Sequence, residues 1–185
     1  MADLLTGERF RTLFTSFEHS ALKLETRDRY SSPTEDESVR RFLAGEPPDL
    51  SWLDYWFGLV RTATADGRRF ARVRVVSEPL SDYKRFELTV ARQTVAAGED
   101  IRYLPRLRAD ALGIPAEDFW IFDEARVALL HFSDQDAFLG AELLAEGKAV
   151  QRHLASFQQA QAAAVPFAQY VRQQPDHSGT DEPGT

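Results

Sequence analysis

The sequence predicts one α+β or α/β domain, a mixed β-sheet flanked by helices, with a C-terminal β-meander followed by a helix. Three observations predict it. Apolar residues recur at helical spacing in Phe10, Leu13, Phe14 and Phe17, and again in a last long helix. Two β-rich stretches, residues 73–76 and 101–104, are separated by one helical stretch, the pattern of a right-handed βαβ crossover. Three apolar runs then follow closely, divided by short acidic turns, as in a meander. No change of composition divides the chain, so residues 1–172 read as a single domain.

Each element has a local reason. Thr6 caps the first helix. Residues 19–29 alternate around Leu22, Leu24 and Thr26 and predict a strand. Ser32-Pro33-Thr34 opens a second helix, with Pro33 in the first turn and Glu35, Asp36 and Glu37 at its positive end. Gly45 and Pro47-Pro48 stop it. The aromatic run Trp52, Tyr55, Trp56 and Phe57, continued to Ala65, predicts a strand leading into a hairpin turn at Asp66-Gly67. Phe70 and residues 72–76 are its partner strand, ended by Pro79. Ser81 caps a third helix that Gly98 closes. Ile101, Tyr103 and Leu104 form a short strand, and residues 106–114 a charged, partly helical turn. The meander runs are 119–122, 127–132 and 138–144. The last long helix, residues 148–164, turns Val150, Leu154, Phe157 and Ala164 inward, and residues 167–171 add a short helical segment. From Gln173 the chain is polar and rich in Pro and Gly, and reads as a disordered tail.

Composition narrows the function. The 185 residues hold 22 Lys and Arg against 29 Asp and Glu, a net charge of -7, which opposes direct nucleic-acid binding. With 43% hydrophobic residues the chain has material for a core. No apolar run has the length of a membrane helix, and the N-terminus lacks a secretory pattern. Cysteine is absent, which excludes disulfides and thiolate metal sites and points to the cytoplasm. There is no GxSxG, GxGxxG or GxxxxGK[ST], and His19, His131, His153 and His177 share no ligand spacing. No catalytic residue, metal ligand or cofactor is therefore expected.

The densest polar and aromatic stretch is RVRVVSEPLSDYKRFE, residues 72–87. Strand period places Arg72 and Arg74 on one side and Val73 and Val75 on the other. The strand end feeding the helix start is where open α/β sheets hold ligands. The two arginines either receive an acidic peptide or phosphate, or pair with Glu78, Glu87 or another carboxylate. Arg72, Arg74, Glu78, Tyr83 and Arg85, with Trp56 and Trp120 as aromatic walls, form the expected partner- or ligand-binding set. On this reading Arg74→Ala weakens binding without unfolding the domain. Glu117, Asp118, Asp123 and Glu124 flank the strand carrying Trp120 and are the place for a carboxylate-pair site. The run from Trp52 to Phe57 is core, or is partly exposed and docks another protein.

Three stretches, RVRVVSEPLSDYKRFEL, AGEDIRYLPR and DFWIFDEARVALLHFSDQDAFLGAELL, followed by the helix ending AVPFAQY, resemble an actinobacterial domain family of unknown function. Its members have about this length and are often encoded beside helix-turn-helix regulators. The similarity runs from Phe10 to Tyr170 and implies fold and context rather than mechanism. The order of elements is more faintly similar to half of a phospholipase D-like domain. The HxKxxxxD signature of that fold is missing, so the resemblance is to an inactive copy. The expected function is a non-enzymatic cytoplasmic accessory or regulatory protein. It binds a helix-turn-helix regulator or a small effector, or pairs with itself as a homodimer. The alternative is a hydrolase or nuclease with a site of scattered Asp, Glu and His.

Overall fold

The computed structural model of the protein describes residues 4–174, so the predicted tail beyond Gln174 lies outside the described residues. Seven strands form one mixed sheet in the order β6-β5-β4-β1-β2-β3-β7. β1 (Ser20–Glu25), β2 (Arg69–Val76) and β3 (Asp100–Pro105) are parallel neighbours. β4 (Phe119–Phe122) runs antiparallel on the other side of β1 and begins the predicted meander with β5 (Arg126–Phe132) and β6 (Phe138–Leu144). β7 (Val165–Pro166) adds a short antiparallel edge beside β3.

Parallel neighbours require crossovers. α2 (Pro33–Leu43) and α3 (Asp54–Ala65) lead from β1 to β2, and α4 (Asp82–Ala96) leads from β2 to β3. Ser81 caps α4 as expected, its Oγ accepting from the Lys84 amide at 3.2 Å. α5 (Arg106–Ala111) and α6 (Gly147–Ala163) cover one face of the sheet, where Leu22, Leu24, Val73, Val75 and Ile121 pack against Val150, Leu154 and Phe157. α1 (Gly7–Ser16) and α3 cover the other face, packing Leu13, Phe14, Phe57 and Val60 against Phe70, Trp120 and Phe122. α7 (Phe167–Arg172) closes the β3 edge by stacking Tyr170 on Tyr103 at 4.4 Å.

One element differs from its sequence reading. The aromatic stretch is not a strand: Ser51–Leu53 is a 3-10 turn and Asp54–Ala65 is helix α3. Phe57, Val60 and Ala63 repeat every third residue and are the buried ones, so helical period wins over the β-propensity of aromatic side chains. Asp66-Gly67 is accordingly a helix end and not a hairpin turn. Gly67, with φ 80°, donates to the Thr64 carbonyl at 3.1 Å and Arg68 donates to Ala63 at 2.9 Å, the two bonds of a Schellman motif. β2 therefore pairs with the distant β1 instead of with a hairpin neighbour.

Candidate functional site

The strand parity of Arg72 and Arg74 is as expected, but the face they occupy lies under α3 and α4. Arg72 is 8% exposed and Arg74 4%. Register sets Lys23 beside Arg72, Glu25 beside Arg74 and Tyr103 on the far side of Arg74. Arg72 donates to Glu25 at 2.8 Å and through Nε to Glu99 at 2.7 Å. Arg74 donates through Nε to Glu25 at 3.1 Å and pairs with Glu87 of α4 at 3.2 Å. Lys84, one helical turn before Glu87, completes the chain at 2.7 Å. Arg72, Arg74 and Lys84 thus meet Glu25, Glu87 and Glu99, all of them buried. Pairing of opposite charges and close hydrogen bonds are what make such a burial tolerable.

Aromatic rings complete the enclosure. The Arg72 guanidinium lies over Trp120 at 5.5 Å and Trp56 at 6.0 Å. Lys23 Nζ sits 5.4 Å from Trp120 and 5.6 Å from Tyr30, and 3.8 Å from Glu25. Burial lowers the pKa of Lys23, with Glu25 opposing. Burial would raise Glu25, but Arg74, Lys23, Arg72 and Lys84 outweigh it and hold its carboxyl well below the usual range. Tyr103 is pushed up to about 12, chiefly by burial. At one margin, Tyr83 donates to Glu35 of α2 at 2.8 Å. Burial and the neighbouring Glu87 raise Glu35 to about 7 despite that hydrogen bond.

The expected binding set therefore divides. Arg72, Arg74, Tyr83 and Trp120 are buried and Trp56 is half-buried, all within the network or its walls. Arg72 and Arg74 are paired with buried carboxylates, and Tyr83 with Glu35. Glu78 and Arg85 are exposed and line a separate groove of about 580 Å³. Phe42 of α2, Pro79, Leu80 and Leu88 are its apolar lining, and Glu78, Arg85, Thr89 and Arg92, with Gln173 and Gln174 after α7, its polar one. Tyr170 donates to Glu78 at 2.9 Å. Burial, then that bond, hold the Tyr170 hydroxyl far above the tyrosine range, so it remains a donor. The groove opens beside the β2–α4 connection, the region that strand order and helix start had marked.

Of the scattered acids and histidines, Glu117 lies 3.6 Å from the buried His153 Nε2, and the rest serve separate places. Asp118 and Asp123 stand at opposite ends of β4 and serve different loops. Asp118 accepts from the Thr26 amide and hydroxyl, each at 2.7 Å, and from the Tyr30 hydroxyl. Asp123 accepts the amides of Glu18, His19 and Ser20 at 3.0, 2.7 and 3.0 Å. His153 is buried edge-on to Phe119, its Nδ1 bonded to the Ala149 carbonyl at 2.7 Å. His131 Nε2 lies 3.5 Å from Glu142. Among the described residues no three His, Asp or Glu side chains converge as a metal site would need, and no helix is long and apolar enough to cross a membrane.

Sequence reasoning missed Lys23, Glu25, Lys84 and Glu99; Glu87 it had offered as a partner of the two arginines, and Arg74 pairs with it. The signal was present for two of them: Lys23 and Glu25 alternate with Leu22 and Leu24, polar residues on the second face of a central parallel strand. No curated relative matches the chain. A family model, a domain of unknown function, matches residues 8–172, a span that begins inside α1 and ends with α7. With the whole sheet and all the helices that cover it inside the match, the chain belongs to the DUF6879 family.

Proposed function

We propose that this domain is a non-enzymatic cytoplasmic accessory protein that acts by binding, and that it engages a helix-turn-helix DNA-binding regulator through the groove between α2 and α4. The groove carries the reading: an apolar lining with charged residues is the composition of a recognition surface. The carboxylates with catalytic potential favour it too, because Asp118 and Asp123 are each taken up by hydrogen bonds that tie β1 and its flanking loops to the ends of β4. The resemblance to an actinobacterial family encoded beside such regulators supplies the class of partner. The absence of cysteine supports the cytoplasm.

Affinity purification of the tagged full chain from its native cells tests the proposal. Near-stoichiometric recovery of a helix-turn-helix protein, lost on Arg85→Glu, is the expected result. A clean monomer or homodimer in the eluate would overturn it. A second reading, a small effector in the same groove, is favoured by the volume, since about 580 Å³ lies within the range of about 300–1,000 Å³ usual for small-molecule sites.

A further inference from the structure

We infer that the crevice at the carboxyl end of β1, where β4 begins and β5 ends, is a binding site separate from the α2–α4 groove, and that it takes a small aliphatic ammonium ion on Glu117. The topology places a crevice there. The chain steps from β1 to β2 and β3 on one side, then returns to lay β4 on the other side of β1. Such a reversal of strand order is where open sheets leave room for a ligand. Arg27 after β1, Glu117 and Asp118 at the start of β4, and His131 and Phe132 at the end of β5 line a cavity of about 250 Å³. That is below the roughly 300–1,000 Å³ of drug-sized pockets, so the ligand is a molecule of a few heavy atoms.

Unspent polar atoms gather at this place. Four buried side-chain polar atoms lack a hydrogen-bond partner among the described residues, and three of them are Arg27 Nε, His131 Nε2 and His153 Nε2. Arg27 and His131 line the cavity. His153, 2% exposed, meets it through Glu117, whose Oε2 is 3.6 Å from the ring Nε2. The other ring nitrogen, Nδ1, meets the Ala149 carbonyl at 2.7 Å. A carbonyl only accepts, so Nδ1 carries a proton, and in the neutral ring Nε2 is a bare lone pair. It faces a carboxylate oxygen, and two facing acceptors need a donor to reconcile them. An ammonium group in the crevice, with three N–H donors, serves both.

Charge selects the same class. Among the described residues Glu117 has no partner besides His153. Asp118 takes its hydrogen bonds from neutral donors, and Arg27 is already paired with Asp136. The lining therefore has an unspent carboxylate and no unspent cation. Arg27 Nε–H remains as a donor for an oxygen atom of the same ligand.

Imidazole NMR of the full chain with labelled histidines tests this. At neutral pH the nitrogen shift of His153 Nε2 is expected to be that of an unprotonated atom. The chain is then titrated with 4-aminobutan-1-ol and with pentan-1-ol. The two share hydroxyl and carbon chain, and an ammonium group in one stands where a methyl group stands in the other. The amino alcohol is expected to bind at least about fivefold more tightly and to move the His153 signals. Glu117→Gln, on an exposed side chain, is expected to remove that preference by weakening the amino alcohol alone. A protonated Nε2 in the free protein would overturn the inference, because the two acceptors would already be reconciled. So would equal affinities, a preference that survives Glu117→Gln, or no binding of the amino alcohol.

Discussion

Glu25 and Arg74 face each other across the β1–β2 register, and Glu25 Oε2 accepts from Arg74 Nε at 3.1 Å inside the protein. The same oxygen accepts from Arg72 at 2.8 Å. One carboxylate oxygen thus bridges two buried guanidinium groups two residues apart on β2. Removing its charge leaves Arg72 with Glu99 and Arg74 with Glu87, three buried cations against two carboxylates. Glu25→Gln keeps the shape and deletes the charge, and is expected to lower stability by about 3–5 kcal/mol. Urea unfolding at neutral pH checks it; a loss below about 1 kcal/mol would mean the network is effectively solvated.

Arg74→Ala belongs with Glu25→Gln and not with surface substitutions. It leaves Glu25 short of a partner and Glu87 with Lys84 alone. A stability loss of about 3–5 kcal/mol is expected. Arg85→Ala, on an exposed residue outside the network, is expected to change stability by less than about 0.5 kcal/mol. Thermal melts of the two variants side by side decide whether the two halves of the expected binding set are as distinct as their burial.

Stability is expected to fall on both sides of a maximum in pH. Glu35 has a folded pKa of about 7, above its unfolded value, so the folded state binds the extra proton and its contribution is present at low pH. That contribution is lost as pH rises through about 7. Glu25 is lowered, so its contribution is present above the ordinary carboxylate range and is lost as pH falls through its folded value. Allowing for the water that reaches half-buried Glu35, the alkaline loss is about 1–2 kcal/mol. Glu35→Gln should flatten the profile between pH about 5 and 8 while leaving the acid limb in place. An unchanged alkaline limb in denaturation curves would refute the assignment.

Gly98 is required by its backbone and by its neighbour. Its φ is 113°, and a Cβ there would stand 2.5 Å from Thr64 Oγ1. Gly98→Ala is expected to cost about 2–4 kcal/mol. Adding Thr64→Ala should recover only part of that, because it relieves the clash and not the dihedral. Full recovery in a double-mutant cycle would show that the dihedral carries no cost.

Asp123 ties the β4–β5 turn to the entrance of β1. Its backbone is left-handed, at φ 54°, and its carboxylate gathers three consecutive amides. Those amides lower its pKa against the opposing effect of burial. Asp123→Ala is expected to cost about 1–3 kcal/mol. Hydrogen exchange should then accelerate first at Glu18, His19 and Ser20, and exchange rates unchanged there would contradict the role.

Where local chemistry and periodicity agree, the elements were legible. Ser32 and Ser81 at helix starts, Phe10 to Phe17 at helical spacing and the three meander runs all have their expected structure. Residues 54–65 did not, because Trp, Tyr and Phe favour strands while Phe57, Val60 and Ala63 repeat as a helix. For Arg72 and Arg74 the side of the strand was legible and its environment was not. Parity places a side chain on a face; only the crossover helices determine whether that face meets water.

By itself the sequence determined the mixed sheet flanked by helices, the βαβ unit and the terminal meander, since caps, turns and hydrophobic period act within a few residues. The tertiary structure alone decided that Glu25, Glu87 and Glu99 meet Arg72 and Arg74, and that Glu78 and Arg85 instead line an open groove. Those partners lie from 13 to 49 residues apart along the chain. Interactions at such separations come from which strands pair and which helices cover them, and no local pattern encodes that.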